Sequence, residues 1–142
     1  MYYHGINLWA VLVCGVTSFI IGGLWYSPVM FVKPWMKALG RSKDDFKNSS
    51  PALPMLLSFI SGLVMAFVMA HILNLAFGKC PNPQPDLTEA IETAIGCWGA
   101  FTLLPIFVTR NFEQSSNTIF YINVAYRLVD FVVMAVILTL WR

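Results

Sequence analysis

Four times the chain runs for roughly 20 residues or more with few charges. At about 1.5 Å per residue, each run is long enough to cross a hydrocarbon core about 30 Å thick. The runs lie at about 7–27, 53–77, 88–109 and 118–141. A segment in hydrocarbon must satisfy its own backbone N–H and C=O groups, so each run has to be a helix. The chain therefore reads as one all-α domain over 1–142, a polytopic membrane protein with four transmembrane helices. Composition agrees, with 58% hydrophobic and 11% charged residues against about 25% charged in soluble domains. The net charge of +2 argues neither for nor against nucleic acid. The lipid bilayer is the first partner of such a chain, and no nucleic-acid partner is expected.

The last run, TIFYINVAYRLVDFVVMAVILTLW, carries Arg127 and Asp130 near its middle. A charge at that depth costs roughly 2.5–3.5 kcal/mol on insertion scales. Opposite charges three residues apart lie on one helix face and pair. Asn123 falls on the same face, with Phe120 and Met134 extending the stripe. One side of this helix is thus expected to face protein, and the other runs have to supply that protein.

The first run begins too close to the start of the sequence for a basic leader region, and no small-residue cleavage site closes it. It reads as a retained helix. Cys14, Ser18 and Gly22 recur along it at four-residue spacing, which lets two helices approach closely in a membrane. The second run has a cleaner seam of the same kind in Ser58, Gly62, Ala66 and Ala70. Gly96, Gly99 and Ala100 give the third run a small face. Thr88 is its expected cap, with Glu89 and Glu92 in the first turns where the helix dipole favours negative charge. Pro105 cannot bond back to the Phe101 carbonyl and should kink it.

Between the first two runs lies the longest polar segment, 28–50. Trp35 stands between Lys33 and Lys37, which is the chemistry of a membrane–water boundary. Pro34 suits a first helical turn. A short interfacial helix ending at Gly40 is expected there, followed by a turn capped between Ser42 and Asp45. Three prolines in GKCPNPQPD, 78–86, make that segment a loop. The first and third loops carry Lys33, Lys37, Arg41, Lys43, Lys47 and Arg110, whereas the other side has Lys79 and Arg142. The positive-inside rule puts the six in the cytoplasm and both termini outside it. Topology alone accounts for these basic residues, and Asp44 and Asp45 weaken a lipid-binding reading of the first loop.

LWYSP at 24–28, KPWMKALG at 33–40, PMLLSF at 54–59 and INVAYRLVDFVVMAVIL at 122–138 resemble a bacterial family catalogued as domain of unknown function 1761. The resemblance runs over nearly the whole chain. It implies a small four-helix protein of the bacterial inner membrane and brings no catalytic or binding residues with it.

Two roles compete for the polar residues inside the spans. In the first, Asn123, Tyr126, Arg127 and Asp130 form a network that fixes helix packing. In the second, His71, Glu92 and Asp130 form a ladder for protons or a cation, with Arg127 tuning its charge. Helical rise puts His71 and Glu92 at a similar depth, with Asp130 one to two turns deeper. A lipid head group or a small amphipathic molecule is a third occupant. A metal site from His4, His71 and Glu92 lacks the i, i+4 pairing of a helical zinc motif, so no metal and no cofactor are expected. Cys14 and Cys97 sit in apolar runs as small hydrophobes. No nucleophile elbow, P-loop or dinucleotide fingerprint is present, so no catalytic residue is expected and the chain is not read as an enzyme. Two small-residue seams exceed the need of one four-helix monomer. The first-ranked reading is therefore a structural or accessory bundle that forms a homo-oligomer or packs with membrane partner subunits. The alternative is a small proton- or ion-coupled transporter or channel.

Overall fold

A computed structural model describes residues 2–3, 5–42, 45, 50–77 and 86–141. His4, Lys43, Asp44, Lys47, Lys79, Cys80, Arg142 and the rest of the loop 78–85 lie outside the described residues. The chain starts with two short strands, β1 (Tyr2–Tyr3) and β2 (Ile6–Asn7), paired antiparallel. Helices follow: α1 (Leu8–Trp25), α2 (Val32–Leu39), α3 (Ala52–Phe77), α4 (Leu87–Trp98), a π segment (Gly99–Leu103), α5 (Leu104–Glu113) and α6 (Asn117–Leu140). α4, the π segment and α5 run on as one rod, Leu87–Glu113. Among the described residues, this rod, α1, α3 and α6 are the four helices long and apolar enough to cross a membrane.

Local chemistry sets the ends. The Asn7 side chain accepts from the Trp9 N–H and starts α1. Ser116 does the same for Thr118 at the start of α6. α4 begins at Leu87 with Asp86 in the N-cap position, so the expected cap, Thr88, lies inside the first turn. α2 is the expected short amphipathic helix in the first loop. None of its residues is buried, and it stops at Gly40 in the left-handed conformation that glycine adopts without strain. Beyond it, the Ser42 N–H and hydroxyl both donate to the Asp45 carboxylate, at 2.7 and 3.2 Å. These bonds hold the Asp45 carboxyl below its usual range.

Pro105 has its effect one turn early. Its missing N–H and its ring interrupt the regular ladder, and the helix answers by widening. The Leu104 N–H reaches back five residues to the Gly99 carbonyl, the bonding of a π turn.

α1 packs most extensively on α3, and α4 on α6, while α1 against α6 joins the two pairs. The first contact depends on small residues. A Cβ at Gly62 would stand 3.1 Å from Ser18 Oγ, and one at Gly15 would strike the Leu63 side chain. Gly62, Ala66 and Ala70 are buried in this seam. The packed core runs through Ala10, Cys14, Ala66, Met69, Leu73, Ala94 and Met134. β2 and the residue that closes α6 meet at one end of the bundle, where Gly5, Asn7, Asn74 and Trp141 line a common crevice. α2 sits at the opposite end.

Candidate functional site

At the α2 end the helices part and leave a cleft of about 690 Å³. Late α1 contributes Phe19, Gly22, Gly23 and, just past its end, Tyr26. Early α3 contributes Pro54, Met55 and Ser58, α6 contributes Asn123, Tyr126 and Arg127, and Trp35 and Ile106 complete the lining. Glycine makes this opening. A Cβ at Gly23 would meet nothing within 4 Å, and one at Gly22 would touch the Tyr126 hydroxyl at 3.0 Å.

Aromatic side chains brace the walls. The Tyr26 hydroxyl donates to Asn123 Oδ1 at 2.7 Å, and Trp25 Nε1 donates to the Ile122 carbonyl at 3.1 Å. Tyr26 meets the rings of Trp35 and Tyr126, each with centroids 5.7 Å away. On the far side of α6, Trp98 Nε1 donates to the Val124 carbonyl at 3.0 Å and ties α4 in place.

Arg127 lines the cleft, and its partner Asp130 is buried behind it, outside the lining. Asp130 is 1% exposed and Arg127 32%. Ser18 Oγ donates to Asp130 Oδ2 at 2.9 Å across α1 and α6. Arg127 reaches the same oxygen at 3.5 Å and Met65 Sδ at 3.4 Å, both through one terminal nitrogen. Its guanidinium also stands 5.0 Å from the centroid of the Tyr126 ring. The other carboxylate oxygen, Asp130 Oδ1, is buried without a hydrogen-bond partner among the described residues. Asp130 is thus held chiefly by a serine on another helix. Arg127 turns much of its donor capacity towards the cleft.

The structure brings Asn123, Tyr126, Arg127 and Asp130 together, as the expected network requires. His71 and Glu92 stand apart from it. His71 is half-buried with Nδ1 against the Phe67 carbonyl at 3.0 Å, and Glu92 is exposed. Ser58, expected in the packing seam, is exposed and lines the cleft mouth. Lys33 and Lys37 are exposed on α2 on either side of Trp35. Cys14 and Cys97 are buried free thiols, and Cys14 Sγ points at the Met134 carbonyl. Among the described residues, no three His, Cys, Asp or Glu side chains gather where they could hold a metal ion. Sequence reasoning valued Ser18 for its small size and overlooked its hydroxyl. It passed over Gly23, Tyr26 and Met65. The signal available was that Ser18 offers the one hydroxyl in the small-residue stripe of the first helix, facing a helix that needs a donor for a buried carboxylate.

A model of the family described as Protein of unknown function (DUF1761) matches residues 9–139. The match covers nearly the whole chain, and the chain belongs to that family. No curated protein and no solved structure matches it.

Proposed function

We propose that this member of the DUF1761 family is a non-enzymatic multi-pass membrane protein that holds a small molecule in the cleft between α1, α3 and α6. One observation carries the reading: a cleft of about 690 Å³ with a charged side chain, Arg127, in its lining. Small-molecule sites typically measure about 300–1,000 Å³, with apolar walls and a few placed polar groups. The seams once counted as spare for partners are largely accounted for within the chain, since Gly62, Ala66 and Ala70 face its interior. Binding is favoured over catalysis because the hydroxyls the cleft offers, those of Tyr26, Ser58 and Tyr126, have no histidine or carboxylate beside them in the lining.

The test uses Gly23→Phe, which fills the cleft from a position with room for a side chain. Protein purified in mild detergent and weighed by native mass spectrometry should carry a small-molecule adduct in the wild type and lose it in the variant. The same mass excess in both, or in neither, would sink the reading.

A second reading, proton-coupled transport of the bound molecule, is favoured by the bare oxygen of Asp130 beside Arg127. Buried acidic residues mark proton pathways in transporters. In this version Asp130 alone carries the proton. Proton-linked flux in reconstituted vesicles should then disappear in Asp130→Asn. Flux no greater than that of empty vesicles in the wild type removes this reading and leaves the binding one standing.

A further inference from the structure

We propose that the cleft takes one amphiphile with an anionic head, a carboxylate or a phosphate. The head sits on Arg127, and the apolar tail leaves sideways between α3 and α5 into the surrounding lipid. This rests on the cleft being a binding site and assigns the class of molecule.

The one charged group in the cleft lining, Arg127, is purely a donor. Arg127 makes its two hydrogen bonds through one terminal nitrogen, and one of these goes to a thioether. Among the described residues its other terminal nitrogen and Nε have no hydrogen-bond partner. A guanidinium presents its donors as a planar fork that fits the paired oxygens of a carboxylate or phosphate. Asn123 spends its carbonyl oxygen on the Tyr26 hydroxyl, so its amide N–H groups are what it has left to offer. A cation would meet this arrangement badly. The one nearby carboxylate, Asp130, is 1% exposed and lies behind Arg127. Trp35 on α2 lines the cleft, and Lys33 and Lys37, two residues to either side of it in sequence, are exposed on the other face of that helix, at the same end of the bundle. Basic residues there raise the local concentration of anions.

The side opening follows from the packing. Residues 51–58, leading into and through the first turns of α3, are all exposed. α5 has no buried residue and packs on α6. Pro54 and Met55 on one side and Ile106 on the other line the cleft, so its lateral walls are apolar. A water-soluble anion would not need such a wall. A molecule with a hydrocarbon tail would.

The test is equilibrium binding to the full chain in mild detergent, with radiolabelled oleate and radiolabelled dioleoyl phosphatidic acid as probes. At least one should bind at one per chain, and which of them binds tells a fatty acid from a phosphate-headed lipid. A hundredfold excess of oleyl alcohol, or of inorganic phosphate, should fail to displace it. Gly23→Phe and Arg127→Met should each weaken binding at least tenfold, with partial recovery in Arg127→Lys. Gly23→Phe leaves Arg127 in place and covers the case in which Arg127→Met does not fold. Displacement by oleyl alcohol, with Gly23→Phe still abolishing binding, would overturn the anionic class and keep the cleft. Displacement by inorganic phosphate would overturn the amphiphile. Full binding by Gly23→Phe would overturn the cleft itself.

Discussion

Asp130 and Arg127 are unequal members of their pair, and the inequality decides what each substitution should do. Removing one partner of a fully buried ion pair costs about 3–5 kcal/mol. Asp130 would keep its 2.9 Å bond from Ser18 after Arg127→Met, and Arg127 is 32% exposed. Arg127→Met should therefore cost less, about 1–3 kcal/mol, in the range for one buried polar group losing a bond. Ser18→Ala should cost about as much, because it takes the shorter of the two bonds from a carboxylate that already has one bare oxygen. The two losses should combine to more than their sum, since both partners serve Asp130 Oδ2. Adding Asp130→Leu to Arg127→Met should restore much of the stability, as apolar replacement of both members often does. Melting in mild detergent across this set is the measurement. A neutral Ser18→Ala would show that Asp130 is held from elsewhere.

At the scale of elements, the four spans were legible because length and apolarity alone demand helices in a bilayer. Gly40 ended α2 as expected, and Ser42 met Asp45. What a single helix cannot reveal is which helix its special face will meet. The stripe Asn123–Arg127–Asp130 announced a protein-facing side of α6, yet nothing within α6 pointed to Ser18, 112 residues away in sequence. The seam Ser58–Gly62–Ala66–Ala70 could face another chain as well as it could face α1. Pairing with α1 buries its last three members and leaves Ser58 at an opening. The cleft itself leaves no periodic trace, because it arises where helices fail to meet. The seam still makes a sharp prediction. Gly62→Leu should separate α1 from α3 and lower the melting point strongly, because Ser18 Oγ and Cβ already stand 3.1 and 3.2 Å from the position of a new Cβ. Gly96→Ala in α4 should be neutral or stabilising by up to about 1 kcal/mol, since nothing lies within 4 Å there and alanine is the better helix former. Equal melting points for the two variants would show that α1 and α3 are not in contact at Gly62.

For the whole molecule, orientation decides which leaflet the cleft faces. The cleft opens at the end of the bundle that carries α2, with Lys33, Lys37 and Arg41 close by in sequence, and Arg110 falls just before the turn into α6. The loop also holds Lys43 and Lys47, whereas the opposite side holds Lys79 and Arg142. Basic residues close to the spans are retained in the cytoplasm. The cleft should therefore open towards the cytoplasmic leaflet, with both termini on the other face. The native thiols allow a direct check. Cys14 and Cys97 are buried in the bundle and should stay silent towards a reagent that cannot cross membranes. Cys80 lies in the proline-rich loop between the second and third spans, on the side predicted to face out. Such a maleimide, added to intact cells, should label the protein at Cys80, and Cys80→Ser should abolish the signal. A cysteine placed at Lys37 in the Cys80→Ser background should react only after lysis. The reverse pattern would turn the molecule over and hand the cleft to the outer leaflet. Its ligand would then have to come from the opposite side of the membrane.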